Sequence, residues 1–218
     1  AFEARELAAG SPGGSGEENV RRLVATSTAL VTAVAVAGTA MLLAASAAAE
    51  RFYVHRSQID AITSRLSERL SQLKIGSPLD EGSEFGPVTN KQHQLKLGQL
   101  FAKAREEGSR IIHGGNLIDG PGCYVEPTVI LANSAKDSLM TEETFGPVAT
   151  FLAYDDEEEL VALMNDSPYG LSASLWTNDL GKAMRLIPQV KAGTLWVNMH
   201  TLLDPAVPFG GIKASGVG

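Results

Sequence analysis

The sequence predicts an α/β domain over residues 47–218, built on a mainly parallel sheet with helices on both faces. Three observations predict it. Strand-like and helix-like segments alternate from Arg51 onward, the order that strand–helix–strand crossovers produce. A chain of 218 residues has room for one domain of ordinary size plus an appendage. The character of the sequence also changes abruptly at Glu50, where a long uncharged run gives way to mixed polar and apolar sequence.

Residues 1–22 are rich in Gly, Ser, Ala and Glu, and Gly10-Ser-Pro-Gly-Gly-Ser-Gly16 has the composition of a flexible connector. No regular structure is expected there. Residues 23–49, roughly 27 positions, contain no charge and no proline, against the roughly 20 needed to cross a bilayer as a helix. The expectation is a single transmembrane helix over residues 23–46, with Arg21 and Arg22 at one mouth and Glu50 and Arg51 at the other. The alternative is a helix buried in a soluble core, because a helix that is apolar all round can be either.

Past Glu50, Arg51-Phe-Tyr-Val-His55 is β-branched and aromatic and suits a strand. Residues 57–73 place Ile59, Ile62, Leu66, Leu70 and Leu73 at spacings of three and four, one face of an amphipathic helix. Residues 91–107 read as a second, more polar helix ended by Gly108. Further strands are expected at 110–113, 124–131, 148–154, 172–176 and 194–198, with helices at 157–164 and 180–190 between them.

Eighteen basic and 25 acidic residues leave a net charge of −7, and no basic cluster is longer than Arg21-Arg22, so a nucleic-acid partner is not expected. The single cysteine, Cys123, excludes an internal disulfide and a cysteine-built metal site. It reads as a small buried residue.

Seven strings, in order, resemble the catalytic domain of the aldehyde dehydrogenase superfamily. Glu50-Arg-Phe-Tyr-Val-His55 is similar to the strand just beyond that family's catalytic cysteine. Phe85-Gly-Pro87 is similar to its glycine–proline turn, and Gly122-Cys-Tyr-Val-Glu-Pro-Thr128 to its "GYFVEPT" strand. Glu142-Glu-Thr-Phe-Gly-Pro147 resembles "EExFGP", and Asn165-Asp-Ser-Pro-Tyr-Gly-Leu171 resembles "NDxxYGL". Gly193-Thr-Leu-Trp-Val-Asn198 looks like the last core strand, and Pro208-Phe-Gly-Gly-Ile-Lys-Ala-Ser-Gly216 like "PFGGxKxSG". The resemblance covers residues 47–218 and treats the apolar run as a non-family fusion. Its flavour is closest to members acting on aromatic and medium-chain aldehydes.

The family's reaction needs a thiolate nucleophile, oxyanion donors, a nicotinamide to take hydride and a carboxylate base. Counting back from Glu50-Arg51, the nucleophile's place is held by Ser46, and an unassisted hydroxyl is a far weaker nucleophile than a thiolate. Glu6, in Glu6-Leu-Ala-Ala-Gly-Ser-Pro12, echoes the "ELGGK" string of the base, but about six residues too far from Glu50; the alternative is a solvated charge. The resemblance makes Glu143 the carboxylate that holds the cofactor ribose, Phe145 the ring beside the nicotinamide, and Phe209 an aromatic near the substrate channel. Each has a plainer reading: Glu143 as a brace for the Phe145-Gly-Pro147 turn, both phenylalanines as core.

The nucleotide-binding half lies upstream in the family, so no cofactor is expected on this chain alone, and NAD(P) only if another chain completes it. The leading expectation is a noncatalytic accessory or linker subunit of a membrane complex, with other subunits and the bilayer as partners. The family's usual homodimer is not expected, because the strand that joins two subunits would follow Gly218. Ala1-Phe-Glu-Ala-Arg-Glu-Leu7 resembles the processed amino terminus of chlorophyll a/c light-harvesting proteins, which points to a photosystem and the plastid thylakoid. Two other readings stand beside it: one part of a split NAD(P)-dependent aldehyde dehydrogenase, and a soluble binder of a small aldehyde or acid.

Overall fold

The computed structural model describes residues 51–200 and 202–217. Its elements, in chain order, are β1 (Arg51–His55), α1 (Arg56–Leu70), α2 (Lys91–Glu106), β2 (Arg110–His113), β3 (Leu117–Ile118), β4 (Tyr124–Val125), β5 (Thr128–Leu131) and α3 (Ser138–Thr141). Then come β6 (Val148–Tyr154), α4 (Glu157–Asn165), β7 (Tyr169–Gly170), β8 (Ser172–Leu175), α5 (Leu180–Leu186), β9 (Thr194–Val197) and β10 (Ile212–Lys213).

The main sheet has the order β1-β6-β5-β2. β1 and β5 both run parallel to β6, whereas β2 is antiparallel to β5, so the sheet is mixed rather than wholly parallel. Alternation along the strands decides which helix covers which face. On β5, Val129 packs with Ile59, Ile62, Leu66 and Leu70 of α1, while its neighbour Ile130 packs with Leu97, Leu100 and Phe101 of α2. The expected helices on both faces are therefore present. The α1 periodicity held to its end, since Ile59, Ile62, Leu66, Leu70 and Leu73 are all buried.

Three expected boundaries move for identifiable reasons. The strand expected at 124–131 is split into β4 and β5 by Pro127, which has no N–H for a ladder. The helix expected at 180–190 ends at Leu186 and tightens into a 3₁₀ turn over Ile187–Gln189, where Pro188 cannot extend an α-helix. β9 stops at Val197 because Asn198 takes φ +54° and clamps Thr177 instead, accepting from its N–H and donating to its carbonyl, both at 2.9 Å.

Cys123 is half-buried in the loop before β4, not a buried strand residue. β8 and β9 form a separate parallel pair. That pair reaches the main sheet through a shared cluster, in which Leu175 and Leu195 meet Tyr53 of β1 and Tyr154 of β6. Among the described residues no helix is long and apolar enough to cross a membrane. The span expected at residues 23–46 lies outside them, as do the extension at 1–22, Glu6 and Ser46.

Candidate functional site

Arg51 opens β1. Its guanidinium donates to Ser167 Oγ at 3.1 Å and lies 5.4 Å from the centre of the Tyr169 ring. β1 is thereby tied to the Asn165–Leu171 turn, one of the strings that carried the resemblance.

The Glu142–Pro147 loop is held against α2. Thr144 is 1% exposed, and its carbonyl meets His93 Nε2 at 2.9 Å. Lys96 Nζ donates to the Glu143 carbonyl at 3.3 Å, and Lys103 pairs with Glu142 at 3.0 Å. That contact and its hydrogen bond raise the Lys103 pKa above its ordinary value. A Cβ at Gly146 would come within 2.7 Å of Leu97 Cδ1, so only glycine lets the loop lie this close to the helix.

The result is that Phe145 is forced outward. It adopts φ +48°, sparsely populated for a residue with a Cβ and costing of order 1 kcal/mol, and its ring is 59% exposed. An open groove of about 640 Å³ runs beneath it, lined by His93, Lys96, Gln99, Thr144 and Phe145 among others. α2 presents these groups because Asn90 caps its first turn, accepting from His93 N–H at 2.9 Å, which sets His93 and Lys96 one turn apart on the same face. Glu143 stands half-buried beside the groove.

Of the three described residues singled out from the sequence, Glu143, Phe145 and Phe209, the first two therefore share one loop. Phe145 is a displayed ring rather than core. Phe209 belongs to a second cluster at the end of β9. There it stacks on Trp196 with centroids 6.4 Å apart and stays 39% exposed, so it too is not core. Trp196 is buried, donates from Nε1 to the Leu202 carbonyl at 2.9 Å, and meets the His200 ring edge-on at 5.3 Å. Ser174 Oγ lies 2.7 Å from His200 Nδ1. Burial lowers the His200 pKa below its ordinary value.

Sequence reasoning missed His93, Lys96, Ser174 and His200. The first two sit three apart directly after the Asn90 cap, a spacing that one-face reasoning on α2 could have picked out. The others are 26 positions apart in sequence and offered no such signal.

A nicotinamide–ribose end would find suitable partners in the Phe145 loop: a flat exposed ring, a nearby carboxylate and the Lys96 ammonium. Among the described residues no glycine-rich strand–turn–helix is present to hold a pyrophosphate.

The sequence matches the aldehyde dehydrogenase family over residues 25–218. The match begins inside the apolar run, so the boundary expected at 47 moves back to 25, and most of that run reads as family sequence rather than a fusion. A betaine aldehyde dehydrogenase of Cereibacter sphaeroides is 40% identical over 168 residues, which make up 77% of this chain and 35% of that protein. A phenylacetaldehyde dehydrogenase of Pseudomonas fluorescens is 39% identical over 175 residues, 78% of this chain and 34% of that one. The structure of the Staphylococcus aureus betaine aldehyde dehydrogenase P449M variant, solved with NAD+, superposes with a TM-score of 0.74 at 35% identity, over 78% of this chain and 35% of its own. The chain thus spans about a third of the length of the curated relatives it matches. With the match over residues 25–218 and the superposition on a solved relative in agreement, the chain belongs to the aldehyde dehydrogenase family.

Proposed function

We propose that this chain supplies the nicotinamide-facing side of an aldehyde dehydrogenase-type site, and that a nucleotide-binding half carried outside it completes the site. The observation that carries this reading is the Phe145 loop, strained and clamped to α2 so that an aromatic ring overhangs a groove lined by His93 and Lys96. A structural loop has no need to display a phenylalanine in this way. NAD(P), when bound, accepts hydride. The chain's own part is to pack Phe145 on the nicotinamide and to offer Glu143 and Lys96 to the ribose hydroxyls.

Oxidation through a thiohemiacetal is not part of the proposal, because Ser46 stands where the thiolate is needed. Equilibrium dialysis with labelled NAD+ tests the reading. The isolated chain should retain almost none, and the native assembly extracted from its source should retain it. Phe145→Ala should weaken that binding at least 10-fold. Equal retention by Phe145→Ala would remove the proposal.

The accessory-subunit reading rests on a different observation, the run of roughly 27 uncharged residues at 23–49, against roughly 20 for a span, and it requires that run to cross a bilayer even though residues 25–49 fall within the family match. In that reading the chain is a noncatalytic member of a membrane complex, in a thylakoid if the Ala1–Leu7 resemblance holds. Carbonate extraction of native membranes followed by native gel electrophoresis decides it. Retention within a large complex supports an anchored subunit, and release removes it.

A further inference from the structure

We propose that Asp119 and Gly120 form a site of spontaneous backbone modification, at which the aspartate rearranges through a succinimide to isoaspartate and loosens the β3–β4 hairpin from α2. The proposal does not depend on the reading above.

Asp119-Gly120 is the one Asp–Gly step in the sequence. It lies in the loop 119–123 between β3 and β4, and both residues are exposed. Among the described residues, neither the Asp119 carboxylate nor the Gly120 N–H makes a hydrogen bond or ion pair, so no partner holds the two groups apart. Gly120 has φ +125°, a conformation that side-chain-bearing residues rarely adopt, and a Cβ built there would meet nothing within 4 Å. The amide nitrogen is therefore shielded neither by its own residue nor by a neighbour. The hairpin around it is also weakly held. β3 and β4 pair only through Leu117 with Val125 and Ile118 with Tyr124, and a two-stranded ribbon is marginal by itself. Its attachment to α2 is Gln94, 0% exposed, which donates from Nε2 to the Tyr124 carbonyl at 2.6 Å and the Ile118 carbonyl at 3.4 Å, together with the packing of Leu117 and Val125 in the cluster around Leu97.

The step balances with water as its only co-reactant. The Gly120 amide nitrogen attacks Asp119 Cγ, the N–Cγ bond forms, and the amide proton and the carboxyl hydroxyl leave together as water. Water then opens the five-membered imide. Addition at Cγ breaks the new bond and restores aspartate. Addition at the former backbone carbonyl breaks the old peptide bond, so the main chain now runs through Asp119 Cβ and Cγ and the α-carboxylate stands free. Nothing is oxidised or reduced, and the mass is unchanged. The main chain is longer by one methylene within the short 119–123 loop, whose ends must keep Ile118 opposite Tyr124. That displaces the two carbonyls that Gln94 bridges, and a buried amide donor left without a partner is destabilising.

The plainer account is an ordinary turn whose backbone keeps Asp119 Cγ out of reach of the Gly120 nitrogen. The purified full chain is aged in a mildly acidic buffer, where the protonated carboxyl loses water most readily. It is then incubated with an L-isoaspartate-specific carboxyl methyltransferase and tritiated S-adenosylmethionine, and the modified residue is located by fragmentation mass spectrometry. The expected result is label at residue 119, at least 10-fold lower in Asp119→Glu, whose longer side chain would have to close a six-membered ring. Hydrogen exchange on the aged sample supplies a second readout. Amides of the Leu117–Val125 hairpin should exchange at least 10 times faster in the isoaspartyl fraction than in the unconverted fraction, with no change in Asp119→Glu aged alongside. Absence of label from the aged chain, label confined to other residues, label undiminished in Asp119→Glu, or unchanged exchange in the isoaspartyl fraction would each overturn the proposal.

Discussion

The sheet built on β1, β6, β5 and β2 and the segment from β7 onward spend their apolar residues differently. The largest fully buried side chains, among them Phe101, Phe151, Ile62, Leu97 and Ile130, all lie at or before Phe151. Of the fourteen exposed large hydrophobic residues among the described residues, eleven lie beyond residue 170, including Leu180, Met184, Leu202, Val207 and Val217. The first region seals itself between α1 and α2. The second folds with apolar surface left over, and surfaces of that kind mark places where something else packs.

The sharpest way to break this comparison is a pair of truncations. Phe151→Ala should cost about 3–5 kcal/mol in chemical denaturation, whereas Leu202→Ala should stay within about 0.5 kcal/mol. Similar losses at both positions would mean that Leu202 is packed as tightly as Phe151.

Next in size is Gly193→Ala. A Cβ at Gly193 would collide with the Gly210 carbonyl, a backbone atom that cannot rotate away. The expected loss is about 1–3 kcal/mol. Trp196 fluorescence should shift to the red as the Phe209 loop leaves the indole, while far-ultraviolet circular dichroism from the main sheet holds.

The pH response is smaller and belongs to the second region. Burial holds the folded-state pKa of His200 below 6.5, its ordinary value, so the unfolded chain binds the proton more readily. Stability should be flat with respect to this group above pH 6.5 and fall as the pH drops from 6.5 towards the folded pKa. His200→Gln should flatten the decline in a series of thermal melts, and an unchanged slope would assign it to another group.

Phe145→Gly should have the smallest effect, between no change and about 1 kcal/mol of stabilisation, because glycine relieves the positive φ. A clear loss of stability would mean that the ring is structural after all.

The main sheet was legible in the sequence because its signals are local. The three-and-four spacing of Ile59 to Leu73 needs no partner to be read, and neither does the mostly apolar run of β6. Pairing between remote residues was not legible. β10 meets β7 through Ile212 and Gly170, two-residue strands with no periodicity of their own. The split at Pro127 was available from the ring's missing donor, and the β-branched residues on either side of it, Val125 and Thr128 to Ile130, masked it. At the candidate site, Phe145 and Phe209 were found by resemblance. His93 and Lys96 looked like the solvated face of a polar helix until the Glu142–Pro147 loop was seen lying across it.

The order of the main sheet also sets a schedule for synthesis. Arg51 is opposite Thr150, about a hundred residues further along the chain, with β5 on the far side of β6. At roughly 5–20 residues per second, a ribosome delivers β1 some 5–20 seconds before the strand it must join. For that interval β1 lacks the strand it pairs with in the folded sheet. The sheet on which α1 packs is therefore complete only once β6 has emerged.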